Sequence, residues 1–481
     1  MLKTLSRTLT SSKGQASLGI LGYFLFLSWF SFNAFRHFVA GYDLTIFYQA
    51  ITGYSRLSSP ESNLLYLGQG QSVNILGEHF QPIIAILAPL VWIWPDPRVL
   101  LLAQAALVCI SLWPIWTFTR RRFGHHYSLV VMACYAVSWP IASMVGFDFH
   151  EIAFAVPLLA WMVESLDRKN YWWVVVLSCL LLLVREDLGF VAITVAILLA
   201  LERQFKHALL VSLAAAVSLV FAFFWVIPHF SPTANVRLFT YSKLGSTPLA
   251  AIEEIFHKPW LVLQEAFRPT IKAFTFLLLI LPSALACLGS RYVLIGVPLI
   301  FEYLLNDRPI LWVTSFHYWA PLAPITTLAA VDAIGKLKLT NGKKVFLEKL
   351  WLIYISIFAI AGLSFLPFSY KFGWFDSAFY RSSPQNESIE KAIEIIPQGV
   401  CVEADNHVLP HLVADRKVFS LAGSDEQANW IVLIGDRTGD LTAVDPRKYE
   451  KTKLANGYKR ILDERNVVVL YRGHNGSTGC R

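Results

Sequence analysis

Asp43, Glu78, His79, Asp148, His150, Arg185, Glu186, Asp187, Arg308 and His317 are the residues whose types and placement could do chemistry. Each sits at the edge of a long apolar run. Carboxylates and histidines are the usual general acids and bases. Arginines stabilise negative charge that develops on a departing group. A charge held at mid-membrane costs roughly 2.5–3.5 kcal/mol on insertion scales, so such groups beside apolar helices usually have partners or a purpose. Several apolar helices that each present an acid, a histidine or an arginine at the same end describe a lined polar cavity.

Plainer roles compete. Asp43, in Gly-Tyr-Asp-Leu-Thr-Ile-Phe, could cap the short helix that follows it. Glu78 and His79 open an apolar segment, where an acid suits the helix dipole. A solvated loop would explain any one of Asp148, His150 and Glu151, but so many in so short a loop point to a site. Arg185, Glu186 and Asp187 also suit a local ion-pair cluster. Asp307 and Arg308 stand apart from His317, and Arg381 reads as solvated surface. No P-loop, Rossmann glycine pattern, HExxH or GxSxG occurs, which removes support for NTP-driven transport and serine hydrolysis. No cysteine or histidine spacing indicates a metal site.

The elements that must position these residues are membrane helices. The chain has 481 residues, 55% of them hydrophobic and 15% charged; soluble domains carry about 25% charged residues. Its net charge of +8 is gathered in short clusters between apolar runs, as in cytoplasmic loops, so nucleic acid is not an expected partner. Tryptophans such as Trp92, Trp94, Trp172 and Trp173 fall near run ends, as interfacial belts do.

Counting sides fixes the topology expected. Residues 1–14 carry Lys3, Arg7 and Lys13 and no acid, which places them in the cytoplasm, and Arg120–Arg122 belong on the same side. An even number of crossings must separate the two. The stretch 80–95 is short for a span and rich in proline. It therefore becomes a juxtamembrane helix in a first outer loop, 41–97. The expected fold is an all-α polytopic bundle of about eleven spans over residues 15–367. No matched pair of Gly- or Pro-broken spans stands out. Beyond Pro367 the polar composition and the runs GVCVEAD, KVFSL, WIVLIG and NVVVLY predict a small α/β extracytoplasmic domain, 368–481. Cys401 and Cys480 could pair there in an oxidising compartment. All ten opening residues fall on the outer side.

The ordered blocks GYDLTIFYQA, GEHFQPIIAILAPL, RRRFG, FDFHEIAFAVPLL, LLLVREDLG and FHYWAPLAP resemble a bacterial and archaeal membrane family catalogued as a domain of unknown function. That family is similar in layout to the GT-C membrane glycosyltransferases, which include protein O-mannosyltransferases and aminoarabinose transferases. The likeness covers roughly residues 20–335 closely and extends loosely into NHVLPHLVADRKVFSL. It implies an inverting transferase of the plasma membrane, taking a sugar from a polyprenyl-phosphate donor to an extracytoplasmic glycan, lipid or protein acceptor. Asp43 occupies the position of the catalytic carboxylate in the first outer loop. The other nine residues would line the substrate site. Many GT-C enzymes have two adjacent acids there, whereas Tyr42 and Leu44 flank Asp43, so Glu78, Asp148 or Glu186 would supply the partner. A divalent cation held by two carboxylates, with ligands unassigned, could balance the leaving phosphate. A lipid or solute transporter, and a non-catalytic assembly protein on the same fold, are the rival expectations.

Overall fold

A chain in lipid must satisfy its backbone internally, and helices do so. The computed structural model describes residues 11–65, 72–232, 240–338, 340–365, 380–421, 428–435 and 445–473; it is a helical bundle with one small sheet near its C-terminal end. Lys3, Arg7, Pro367 and Cys480 lie outside the described residues.

Helix α1 (Ser12–Arg36) starts where the Ser11 hydroxyl accepts from the Gly14 amide. Its Leu18, Leu21, Leu25 and Trp29 are largely exposed, an apolar face. A tight turn leads into α2 (Tyr42–Ser55). A two-residue antiparallel pair, β1 (Glu61–Ser62) and β2 (Val73–Asn74), ties the following loop together. The expected juxtamembrane helix is shorter than 80–95: a 3-10 segment, Pro82–Leu87, runs into α3 (Ala88–Ile93). Pro82 and Pro89 lack the amides that a longer α-helix would need.

Helix α4 (Arg98–Phe123) is the centre of the bundle. Its apolar window is 72% buried, against 28% for α1. It packs on α1, on α5 (His125–Ala136), and on α7 (Ala155–Asp167), which follows α6 (Trp139–Val145). Next come α8 (Tyr171–Leu181), α9 (Leu188–Leu201) and α10 (Phe205–Phe221), which continues through one π turn into α11 (Ile227–Phe230). Helices α12 (Pro248–His257), α13 (Pro259–Phe267), α14 (Thr270–Ile280), α15 (Val297–Leu305), α16 (Leu322–Gly335) and α17 (Asn341–Phe365) complete the bundle.

Fewer helices than expected are long enough to cross alone. Among the described residues three qualify: α1, α4 and the continuous Phe205–Phe230. The count is five if two bent pairs each form one span: α5 with α6, at 50°, and α13 with the helix after it, at 82°. Pro140 and Pro269 sit at these bends. Helix α9 has 14 residues and so rises about 21 Å, against a hydrocarbon core of about 30 Å.

The two groups of charges sorted by side counting occupy opposite ends of α4. At its C-terminal end Arg121 binds Glu164 and Asp167, and Arg122 binds Asp167 and Asp332. Ser290 and Lys336 also hold Asp332. At its other end Asp96 pairs with Arg98, whose guanidinium lies over Phe35 in the last turn of α1.

After α18 (Pro384–Ile395) comes a five-stranded sheet. Its order is β4 (Lys417–Ser420), β3 (Cys401–Ala404), β5 (Trp430–Ile434), β7 (Val467–Tyr471), β6 (Lys459–Glu464). The first three strands are parallel and the last two add an antiparallel hairpin. Strand β6 was not anticipated; its KRILDE carries only two apolar residues and lies at the sheet edge. Helix α19 (Leu409–Leu412) lies between β3 and β4, and α20 (Pro446–Ala455) precedes β6. Cys401 is disulfide-bonded.

Candidate active site at the start of the second helix

The first turn of a helix leaves amides without intrahelical partners. In α2 these are met from distant parts of the chain. Both Asp148 oxygens accept from the Gly41 amide, at 2.9 and 3.0 Å, and one lies 3.4 Å from the Leu44 amide. Asn406, from the loop after β3, accepts from the Tyr42 amide at 2.6 Å. Asp43 thus stands in the first turn of a helix capped by other residues, with its side chain 24% exposed. The dipole of α2 favours its charged form.

Asp43 faces His150. Their nearest atoms, Oδ2 and Nε2, are 3.6 Å apart, beyond hydrogen-bonding distance. His150 Nδ1 is 3.1 Å from the Asp148 carbonyl, so in the neutral ring it carries the proton and leaves Nε2 as an acceptor toward Asp43. Burial lowers the His150 pKa and keeps that ring neutral. The ring stacks on buried His317, with centroids 3.6 Å apart. A carboxylate and an imidazole acceptor so close together offer a hydroxyl two alternative sites for its one proton.

A second cluster adjoins the first. Glu186 accepts from the Phe80 amide at 2.8 Å and lies 2.7 Å from His79 Nδ1. Arg185 is buried and fully engaged: it forms a two-pronged pair with Asp187, at 2.7 Å for Nε, and lies 3.6 Å from Glu151 and 3.9 Å from Glu302. Burial raises the Asp187 pKa, but the Arg185 charge outweighs it and holds the carboxyl below its usual range. Glu78 is half-buried, with its charge felt at His79 and Tyr42.

Arg308 is different. Its loop is fixed: Asn306 accepts from the Arg308 amide and donates to Thr240, and Asp307 accepts from the Ser242 amide. Among the described residues the exposed guanidinium itself has no hydrogen bond or ion pair. Its charge reaches Tyr42, His317 and Tyr318. Of the two arginines expected at the site, Arg308 is thus the one with unspent hydrogen-bonding capacity.

All ten residues singled out in the sequence therefore gather around the start of α2, in different surroundings. Asp148 is occupied by backbone amides, Arg185 by acids, and Glu186 by His79 and Phe80. Asp43 and His150 face each other across 3.6 Å, and the Arg308 guanidinium is exposed. The sequence reading missed Glu302, Tyr42, Tyr318 and Asn406. A lone acid inside VPLIFEYLL was the available signal for Glu302; Asn406 had none. No three His, Cys, Asp or Glu side chains among the described residues are arranged to hold a metal ion.

The His79–Glu186 contact carries a pH dependence. Burial lowers the His79 pKa, but the Glu186 charge and hydrogen bond outweigh it and raise the value from 6.5 to about 9. A raised folded-state value means that the stabilisation is complete below pH 6.5 and is lost as pH rises through about 9. The melting temperature of the wild type should exceed that of His79→Gln most at the acidic end of this window. The difference should shrink toward its alkaline end; a pH-independent difference would contradict the pairing.

Among solved structures, ArnT from Cupriavidus metallidurans, bound to undecaprenyl phosphate, is similar over 96% of this chain and 98% of its own, at 10% identity and a TM-score of 0.54. The fold is thus similar to that of ArnT. The archaeal oligosaccharyltransferase AglB from Archaeoglobus fulgidus, in complex with an inhibitory peptide and a dolichol-phosphate, matches 83% of this chain at 10% identity and a TM-score of 0.40. The match covers 64% of AglB's length. No curated protein matches the sequence. A family described as "Predicted membrane protein (DUF2079)" matches residues 35–463, nearly the whole of the chain, and the protein belongs to that family.

Proposed function

We propose that this protein is a membrane glycosyltransferase that moves a sugar from a polyprenyl-phosphate carrier to an acceptor outside the cytoplasm. The observation that carries the reading is the Asp43–His150 pair on a capped helix start, within reach of the charge of Arg308, which has no hydrogen bond or ion pair from its guanidinium among the described residues, in a fold similar to ArnT. Asp43 accepts the proton of the acceptor hydroxyl as its oxygen attacks the anomeric carbon. The neutral His150 ring, held by its stack on His317, lines the other side of the nucleophile and fixes its position. The bond from the anomeric carbon to the carrier phosphate breaks, and Arg308 stabilises the anion that leaves. Glu78, His79, Glu186 and His317 form the surrounding wall; Asp148, Arg185 and Asp187 hold it in place.

In this reading the short and bent helices complete a bundle of about eleven crossings. The N-terminus is cytoplasmic, and α2, Arg308 and the sheet domain lie outside in the plasma membrane's outer interface. The transmembrane part ends near 367 and the soluble domain begins near 368.

Transport is the second reading, and the two bent helix pairs favour it, since transporters build ion sites on broken helices. The bends lie near Val137–Ser138 and Arg268–Pro269, and the clustered ionisable groups are elsewhere. That separation favours the enzyme.

Binding of undecaprenyl phosphate to the purified protein in nanodiscs tests the assignment of the leaving-group site. Arg308→Ala should weaken binding about 10- to 100-fold, as expected for loss of a charge-assisted hydrogen bond of roughly 1.5–3 kcal/mol. Equal affinity in wild type and variant would remove Arg308 from this role.

A further inference from the structure

The sheet domain reaches into the site just described. The loop after β3 places two consecutive side chains on the backbone that opens α2: Asn406 accepts from the Tyr42 amide at 2.6 Å, and His407 Nδ1 is 3.2 Å from the Ala40 carbonyl. The loop is itself held. The Asp405 amide donates to Val432 in β5, and the Asp405 carboxylate accepts from the His407 amide. Gly41 sits between the two capping groups. A Cβ there would come within 3.2 Å of both Asn406 Oδ1 and Asp148 Oδ2, so a larger residue would push the two capping groups back by a few tenths of an ångström.

Two further contacts join the same elements. The turn from α1 to α2 passes through Phe38 with φ of 57°, a left-handed conformation that costs a bulky residue roughly 1–2 kcal/mol. The His411 ring of α19 packs against Phe35 and Phe38, with centroids 4.1 and 4.3 Å away. Burial drives the His411 pKa down to about 3, so the ring stays a neutral wedge beneath the turn. Farther along α2, Gln49 donates to Asn63, and Asn63 donates to the Val418 carbonyl of β4. The helix bearing Asp43 is thus held at its start, beneath its entry turn and near its middle by one domain.

We infer that the C-terminal sheet domain is a structural part of the active site, and that Asn406 is a positioning residue that fixes the Asp43 helix by capping it. The domain is then no detachable module for acceptor recognition. Removing it would loosen the first turn of α2 and move Asp43 relative to His150 and Arg308. The consequence for catalysis rests on the function proposed above; the mechanical link between domain and helix does not.

Hydrogen–deuterium exchange on the full chain in nanodiscs separates the two. Asn406→Ala should speed exchange in peptides covering residues 38–48 by roughly five-fold, the factor set by loss of a typical helix cap. Peptides from α4 should not change. Asn406→Asp keeps the accepting oxygen and should restore slow exchange. In a deletion strain, the same variants should restore the lipid-linked sugar profile in parallel: poorly for Asn406→Ala and well for Asn406→Asp. Unchanged exchange over 38–48 in Asn406→Ala, or faster exchange that spreads equally to α4, would overturn the positioning role. If exchange responds as expected while Asp43→Asn restores the sugar profile as well as wild type does, the link between domain and helix stands and the proposed chemistry falls.

Discussion

Asp43→Asn should leave the protein folded and inserted, and should lower sugar transfer by about 10²–10⁴-fold, the usual contribution of a positioned general base. The substitution keeps size and shape and removes only the ability to take a proton. Folding should tolerate it because the start of α2 is capped by Asp148 and Asn406. The dipole interaction of a first-turn acid is worth about 0.3–1 kcal/mol. A transfer assay with a polyprenyl-phosphate-linked sugar, run beside size-exclusion chromatography of the same preparation, reads both outcomes. A folded variant with wild-type transfer would remove Asp43 from the reaction; a variant that fails to fold would contradict the capping assignment.

The second large effect is on stability. Arg185→Met should cost about 3–5 kcal/mol, because breaking a buried ion pair on one side strands its partners. Asp187, Glu151 and Glu302 would face one another with no cation of comparable reach among them. Arg185→Lys should recover only part of the loss, since an ammonium cannot reproduce the two-pronged geometry on Asp187. Thermal denaturation followed by fluorescence-detected chromatography would show a large fall in midpoint for Met and a smaller one for Lys. Equal midpoints for all three proteins would mean that the cluster does not support the fold. Arg308→Ala, in contrast, should leave the midpoint near the wild-type value, since its guanidinium holds nothing among the described residues.

Much of this was legible from charge and hydropathy. Charge asymmetry sorted Arg120–Arg122 and the ten candidate residues to opposite sides; in the structure the arginines bind Glu164, Asp167 and Asp332 at the C-terminal end of α4, away from Asp43. The four strand-like runs after Pro367 are strands β3, β4, β5 and β7. Span number was less legible, because hydropathy averages over the prolines that break α5 from α6 and α13 from α14. That ionisable residues would cluster was legible because a lone acid or histidine beside an apolar run is costly unless it has a partner or a use. The division of labour was not. Asp43 and Asp148 look alike in sequence, and only packing shows that Asp148 spends both oxygens on backbone amides while Asp43 does not cap its own helix. Asn406 was invisible for a related reason: a cap supplied from 364 positions away leaves no local pattern.

The central claim is that a lipid-linked sugar is consumed at this site. Mass spectrometry of envelope lipids from a strain lacking the protein tests it most directly. One polyprenyl-phosphate-linked sugar should accumulate, the wild-type gene should clear it and the Asp43→Asn gene should not. A lipid profile identical in all three strains would contradict it.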